Sequence, residues 1–277
     1  MGRHCRLLRV EPSNGRVHHP CVVGHLPSRA LAVSKAKEGS PVTSRKKFFG
    51  GLAAGWDAGA ASCGERLRRV VAEAGIRPGW RVCDVGTGTG VLIPLLARAV
   101  GAQGAVVAID YAPEMIRQAR RKRFPATVEL LVADIHSTGF APSSFDAVIC
   151  NACFPHFAHK RRAMKEIRRI LKPGGVLVIS HPTGRSSVNR LHGSASGPVR
   201  RDRVPPGDKM ARTLSECGFV PVSVIDEERF YLVKARRREQ EILSDAAEPP
   251  SCRRTPRSHS AAQSVPRPSP ERQETLS

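Results

Sequence analysis

The segment from Val82 to Gly90 constrains the fold of this chain more than any other. It reads Val-Cys-Asp-Val-Gly-Thr-Gly-Thr-Gly, an apolar strand pattern followed by a turn with glycine at every second position. Glycine allows positive φ and close approach of a ligand to the backbone. We therefore predict a buried strand, a ligand-binding turn, and a helix that begins near Thr89 with free N–H groups behind the turn. Asp84 gives this nucleotide-like pocket one negative wall.

Strand and helix patterns alternate between residues 45 and 237, and this alternation predicts a parallel sheet with right-handed crossovers. The last two predicted strands are too close in sequence for a helical crossover, so they must pair as a hairpin. The fold class is therefore α/β: a Rossmann-like, seven-stranded, mostly parallel sheet with an antiparallel C-terminal hairpin strand and helices on both faces. The predicted strands are 81–85, 105–110, 127–132, 145–150, 176–181, 219–226 and 229–235, and the helices are 45–57, 64–74, 89–100, 113–123, 159–171 and 207–217.

The two ends of the chain lack such periodicity. Residues 1–44 are basic and punctuated by proline, and residues 238–277 are rich in Pro, Ser and Arg, so we expect both to be disordered. Residues 45–57 and 182–206, an irregular stretch, are expected to act as lids on the domain at 45–237. No segment has the ~20 apolar residues needed to span a membrane, and no secretory signal is evident, so we expect a cytoplasmic protein.

The glycine spacing, with an acid two residues before the first glycine, differs from the G-x-G-x-x-G of dinucleotide-binding proteins. It resembles motif I of the class I S-adenosylmethionine-dependent methyltransferases. Further matches follow in the family's order at successive strand ends, and they are Ala108-Ile109-Asp110, Glu129 to Ile135, Phe145 to Asn151 and Glu166 to Gly175. Residues 45–236 are similar to the small-molecule branch (methyltransferase type 11/25-like) that includes ubiquinone/menaquinone-type C-methyltransferases.

The resemblance implies S-adenosyl-L-methionine as cofactor and in-line transfer of its methyl group to a small-molecule acceptor. It implies that Asp110 accepts hydrogen bonds from both ribose hydroxyls, and that Tyr111 and Met115 flank the adenine. Asp134 is expected to bind the adenine amino group, and Ile135 to offer a backbone N–H. The full predicted cofactor set is Asp84, Gly86, Thr87, Gly88, Gly90, Asp110, Tyr111, Met115, Asp134, Ile135 and Asn151.

Three histidines are candidates for a catalytic base, because histidine titrates near neutral pH. His156 follows the fourth strand, His181 ends the fifth, and His192 lies in the irregular stretch. The alternative is that each is a polar pocket wall or a surface loop residue. No metal site is expected, since the single pair Cys150-x-x-Cys153 is weak evidence for zinc or redox chemistry.

Nucleic acid is the alternative partner, because the formal charge of +21 favours anionic ligands. The alternative functions are therefore an RNA methyltransferase, or a non-catalytic protein that binds S-adenosylmethionine and docks on RNA. The segment Asn151-Ala152-Cys153-Phe154 lacks both prolines of the Asn/Asp-Pro-Pro-aromatic tetrad of amino-methylating nucleic-acid enzymes, which counts against the first. The sequence leaves the acceptor atom and the oligomeric state open.

Overall fold

A mostly parallel sheet organises the protein, whose computed structural model describes residues 41–57 and 61–239. Seven strands pair in the order β3-β2-β1-β4-β5-β7-β6, with β7 antiparallel to both of its neighbours. The sheet therefore has the predicted architecture, including the C-terminal hairpin. The strands are β1 (Arg81–Val85), β2 (Ala105–Asp110), β3 (Val128–Val132), β4 (Phe145–Asn151), β5 (Leu171–His181), β6 (Phe219–Glu227) and β7 (Phe230–Arg237).

Helices cover both faces of this sheet, as predicted. One face packs apolar side chains of α2 and α3, such as Leu67 and Leu96, on β1, β4 and β5. The opposite face receives Met164 and Ile167 of α5 and Met210 of α7. The helices are α1 (Pro41–Leu52), α2 (Gly64–Ala74), α3 (Ile93–Val100), α4 (Pro113–Arg120), α5 (Lys160–Ile170), α6 (Arg185–Ser194) and α7 (Gly207–Glu216). None of the described helices is long and apolar enough to cross a membrane.

The strand order reverses direction between β1 and β4. Strands β2 and β4 lie on either side of β1, and each pairs with it in parallel. Val85 at the end of β1 stands beside Ile109 of β2 and Cys150 of β4. In open α/β sheets, ligands bind outside the carboxyl ends of the strands at such a switch point. The topology thus gathers the ends of β1, β2 and β4 at one edge of the sheet.

The starts of two helices differ by four residues from those that the sequence pattern predicts, and β5 begins at Leu171 rather than at residue 176. Helix α3 begins at Ile93 rather than near Thr89, because Gly88 and Gly90 have φ values of +58° and +83°, which a right-handed helix cannot accommodate. Helix α1 begins at Pro41, so residues 41–44 belong to a helix instead of the expected extension. The remainder of that extension, and all but the first two residues of the expected tail, lie outside the described residues.

The stretch 182–206, expected to be irregular, contains α6. Gly184 precedes this helix with φ 74° and ψ 154°, a conformation that is essentially restricted to glycine. A Cβ added there would lie well inside contact distance of the Glu228 carbonyl oxygen, in the turn between β6 and β7. Gly184 therefore lets α6 start directly against the C-terminal hairpin.

Replacing Gly184 with Ala is expected to destabilise the fold by about 2–4 kcal/mol, since it adds both backbone strain and a backbone clash. Gly139 is a matched control: its φ is also +74°, but an added Cβ meets no atom within 4 Å. Gly139→Ala should cost only about 1 kcal/mol. Urea denaturation of both variants measures the difference, and equal losses would show that the contact with Glu228 is unimportant.

Candidate functional site

A cleft opens at the carboxyl ends of β1, β2 and β4. Its walls come from α1, the turn after β1, the start of α4, the segment after β3 and the segment after β4. Of the predicted cofactor residues, seven line it: Gly86, Gly88, Asp110, Tyr111, Met115, Asp134 and Ile135. His156 is the one candidate base among the lining residues. The switch point of the sheet is therefore a cleft.

Asp110 is the acid at the centre of this cleft, and it is only 7% exposed. One carboxylate oxygen accepts a hydrogen bond from the Gly88 N–H, and the other accepts one from the Ala112 N–H, each at 2.9 Å. Burial raises the pKa of Asp110 to about 6, against the opposing effect of these backbone hydrogen bonds. A carboxylate offers about four acceptor positions. The Tyr111 backbone N–H also stabilises the ionised carboxylate, so the side chain keeps acceptor capacity for a ribose hydroxyl.

Asp84, by contrast, lies behind the glycine turn and is 1% exposed. The Thr87 hydroxyl donates a hydrogen bond to Asp84 at 2.6 Å, and burial raises the pKa of this carboxyl to about 7. The Thr87 N–H donates a hydrogen bond to the Ile109 carbonyl oxygen, and the Gly90 N–H donates one to the Thr87 carbonyl oxygen. Several N–H groups that we expected to face a ligand are thus used inside the protein. Asp84 and Thr87 brace the turn and do not line the cleft.

The turn itself packs tightly against the segment after β4. Gly86 has φ +65°, and an added Cβ would lie 2.5 Å from Cβ of Cys153. Ala152, before Cys153, also has a left-handed φ of 55°, which turns the chain back into the cleft. Such conformations in residues other than glycine concentrate at functional sites. The sequence motif is therefore required for packing as well as for ligand access.

Asp134 and Ile135 follow β3 at the opposite end of the cleft. One carboxylate oxygen of Asp134 accepts hydrogen bonds from the His136 backbone and its ring nitrogen Nδ1, at 2.9 and 2.5 Å. Within the described part of the chain, the other oxygen has no hydrogen-bond donor and the Ile135 N–H has no acceptor. A free acceptor and a free donor, adjacent in sequence, match the pair of groups on the edge of an adenine.

Aromatic side chains enclose the space between these polar groups. Phe49 packs edge-to-face on Trp56 and Tyr111, with ring centroids 6.3 and 6.4 Å apart. Met115, which is 1% exposed, belongs to the same apolar cluster. The Tyr111 hydroxyl is buried, and no described residue hydrogen-bonds to it. Aromatic side chains of α1 and of the segment that follows it therefore form a wall of the cleft.

Four of the predicted cofactor residues are not among the residues that line the cleft. Asn151 at the end of β4 accepts a hydrogen bond from Ser180 at 3.0 Å. Gly90 packs against Ile93 and Phe124. Asp84 and Thr87 hold the turn, as described above. Their roles toward a cofactor would therefore be indirect, through the shape of the turn and of the strand ends.

The three candidate bases occupy different environments. His156 lines the cleft, and its ring centroid lies 4.9 Å from that of His192. Burial lowers the pKa of His192 to about 4 and that of His181 to about 3. His192 Nδ1 lies 3.0 Å from the Asp202 carbonyl oxygen, whereas Nε2 of His181 is buried without a hydrogen-bond partner in the described structure. His181 and His192 are absent from the cleft lining.

Two charged residues that the sequence analysis did not select complete the site. Asp202 Oδ1 accepts a hydrogen bond from Arg45 of α1 at 2.8 Å, and its Oδ2 lies 2.8 Å from His156 Nδ1. Arg45 also lines the cleft. Asp202 could have been noticed, because it is the only acid in the stretch 182–206. Arg45 carried no such signal, because the chain has 45 lysines and arginines.

Comparison with known proteins finds relatives that include methyltransferases. Residues 83–179 match a family model described as a methyltransferase domain. An uncharacterized 37.1 kDa protein in transposon Tn4556 of Streptomyces fradiae is 40% identical over 160 residues, which are 54% of this chain and 46% of that protein. A ubiquinone/menaquinone biosynthesis C-methyltransferase of Ralstonia pickettii is 34% identical over 111 residues, 39% of this chain and 46% of that enzyme. The chain thus spans about half the length of these relatives.

The fold has a similar solved counterpart. A crystal structure of an S-adenosylmethionine-dependent methyltransferase from Aquifex aeolicus superposes with a TM-score of 0.53 at 24% identity, covering 62% of this chain and 89% of that one. Residues 83–179 are therefore similar in sequence to a methyltransferase domain, and the fold is similar to that of a solved S-adenosylmethionine-dependent methyltransferase. S-adenosyl-L-methionine is the cofactor that this similarity implies.

The residues of the cleft fit that cofactor. Asp110 keeps acceptor capacity for a ribose hydroxyl, while Asp134 and Ile135 offer a free acceptor and a free donor for the adenine. The aromatic wall supplies the apolar surface that an adenine ring needs. These residues would therefore hold the adenosine part of the cofactor.

Binding of S-adenosylhomocysteine should strengthen as the pH rises from 5 to 7. Asp110 has a pKa of about 6 in the free protein, and its ionised form is the stronger acceptor for a ribose hydroxyl. Binding therefore releases a proton, and below pH 6 the affinity should fall by up to about tenfold per pH unit. Calorimetry between pH 5 and 8 measures this dependence.

The matched variant for this measurement is Asp110→Ala, which should bind about tenfold or more weakly at pH 7, since charge-assisted hydrogen bonds contribute about 1.5–3 kcal/mol each. Asp84 also titrates near neutral pH, so the part of the pH dependence that Asp110→Ala removes is the part that belongs to Asp110. An unchanged affinity and pH profile in this variant would contradict the ribose assignment.

Proposed function

We propose that this protein transfers a methyl group from S-adenosylmethionine to a small-molecule acceptor. One observation supports the proposal: a single cleft contains the groups suited to adenosine and also His156, beside a wall formed by α1. The cofactor supplies a methyl group that is already activated on a sulfonium. The protein then has to hold the acceptor in line with that methyl group and to exclude water.

The acceptor end of the cleft supports a small molecule rather than a polymer. Phe49 of α1 packs 4.8 Å from the His156 ring and belongs to a cluster with Val199, so α1 and the segment after α6 meet beside the cleft. The Arg45–Asp202 pair further links the same two segments. A relative named as a ubiquinone/menaquinone biosynthesis C-methyltransferase also favours a small organic acceptor.

RNA is the alternative substrate, because the chain has a formal net charge of +21. It is therefore included in the experiment. Arg161 of α5, for example, is 77% exposed, but it already pairs with Glu216. Charge of this kind increases affinity for any polyanion without selecting a reaction. The cleft, which must accept the reacting group, is therefore the better guide to the substrate.

The full-length chain incubated with methyl-labelled S-adenosylmethionine and a cell extract should transfer label to the small-molecule fraction. The same reaction with total RNA is expected to leave the RNA unlabelled. Label in RNA alone would replace the small-molecule proposal with an RNA methyltransferase. Label in neither fraction, from protein that binds the cofactor by calorimetry, would favour a non-catalytic binding protein.

Two variants establish that the transferred label depends on this cleft. Asp110→Ala should lower the transfer rate at limiting cofactor, because it weakens cofactor binding. Asp208→Asn is the control, since Asp208 is an exposed acid on α7 that pairs with Arg212 four residues later. This control should transfer label at the wild-type rate, and equal losses in both variants would indicate a contaminating enzyme.

A further inference from the structure

Asp202, Arg45 and His156 form a charged chain that connects three separate segments of the protein. Arg45 comes from α1, His156 from the 3₁₀ helix Phe154–His156 after β4, and Asp202 from the segment between α6 and α7. Asp202 is 7% exposed, and both its oxygens contact the Arg45 guanidinium. Burial alone would raise the pKa of Asp202, but its hydrogen bonds with His156 and Arg45 outweigh that effect and bring the pKa to about 2. Asp202 is therefore ionised at neutral pH.

An ionised Asp202 determines which nitrogen of His156 carries the proton. His156 Nδ1 lies 2.8 Å from Asp202 Oδ2, and a carboxylate only accepts hydrogen bonds, so Nδ1 must be the donor. Burial lowers the pKa of His156, against the opposing effect of Asp202, so the ring is neutral at pH 7. Nε2 then carries a lone pair. No residue of the described structure donates a hydrogen bond to Nε2.

The surroundings of His156 keep it neutral. Besides Asp202, the charged or titratable groups near its ring are Arg45, Lys160, His181 and His192. Lys160 Nζ donates hydrogen bonds to two backbone carbonyl oxygens, and both other histidines have low pKa values as described above. Asp202 is the only anion among these neighbours, so it is the group that supports protonation of His156.

We propose that His156 is the general base for the methyl acceptor, with Asp202 as the positioning residue that keeps the proton on Nδ1. The inference rests on the proposed function and specifies its substrate class: a neutral acceptor whose nucleophilic oxygen, nitrogen or carbon still carries a proton. A thioether or a tertiary amine has no such proton, and a buried base would then serve no purpose.

The reaction balances without a further reagent. The acceptor's electron pair forms the bond to the transferred methyl carbon, and the bond between that carbon and sulfur breaks with its electrons going to sulfur. The acceptor's proton goes to His156 Nε2, and the resulting imidazolium is stabilised by Asp202 until the proton passes to water. Arg45 holds Asp202 in place during both steps.

The first test is the titration of His156 itself. Side-chain nitrogen NMR on the full chain labelled with ¹⁵N-histidine measures it, and His156→Gln assigns the signals. At pH 7 the wild-type protein should show His156 with a protonated Nδ1 and an unprotonated Nε2, and a pKa below 6.5. Asp202→Asn should lower that pKa by about one unit or more, because it removes the neighbouring anion. Asp208→Asn should leave the titration unchanged. A proton on Nε2 at pH 7 would overturn the proposal.

The second test is the transfer of label to the small-molecule fraction. His156→Gln should reduce the rate by about 100-fold or more, as expected for loss of a general base, while its affinity for S-adenosylhomocysteine remains that of the wild type. In Asp202→Asn the acid limb of the pH–rate profile should move to lower pH together with the NMR titration. This shared shift distinguishes a positioning role from a purely structural one.

The two proposals fail in different ways. If the wild-type chain transfers label and His156→Gln transfers it equally fast, the base assignment is wrong and the methyltransferase proposal stands. If the wild-type chain transfers no label to small molecules, the proposed function fails and the base assignment fails with it. Should Asp202→Asn not fold, the wild-type tautomer and the His156→Gln rate still decide the question.

Discussion

The buried carboxylate of Asp110 is the interaction on which the cleft depends. It accepts one backbone N–H from the glycine turn after β1 and another from the start of α4. Both hydrogen bonds offset part of the cost of burying the charge, and they hold two ligand-binding segments at a defined separation. Register between β1 and β2 brings those segments together, since Val85 and Ile109 are paired neighbours. The proposed ribose site is therefore organised before any ligand arrives.

The two ends of the cleft are built in different ways. The adenosine end uses residues at or just after the ends of β1, β2 and β3, where strand pairing sets their positions. The acceptor end uses α1, the 3₁₀ helix after β4 and the segment between α6 and α7, which the sheet does not align directly. Asp202 compensates for this by joining all three segments through hydrogen bonds and an ion pair.

Much of the fold and of the adenosine end could be predicted from sequence, because both depend on local patterns. Alternating strands and helices predict the sheet, and glycine spacing predicts the turn. The same patterns misplaced the start of α3, since the left-handed conformations of Gly88 and Gly90 extend the turn. They also predict ligand contacts for Asp84, whose carboxylate accepts a hydrogen bond from Thr87 in the structure. A strand-end acid looks the same in sequence whether it faces a ligand or supports a loop.

The acceptor end was harder to predict, because its key contacts join residues far apart in the chain. Arg45 and Asp202 are separated by 157 positions, and no periodic pattern relates them. The histidines illustrate the same difficulty: His181, at a strand end, is buried outside the cleft lining, while His156, in a short 3₁₀ helix, lines it. Strand-end position predicts proximity to the site, but only tertiary packing decides which side chain is accessible.

The pairing of Arg45 with Asp202 has a consequence for how this protein can diverge. Loss of either partner alone leaves an uncompensated charge in a largely buried position, which is strongly destabilising. Substitutions at the two positions are therefore coupled, and a lineage that changes its acceptor must alter both together or retain both. Substrate preference can therefore change through other residues of the cleft while this ion pair is retained.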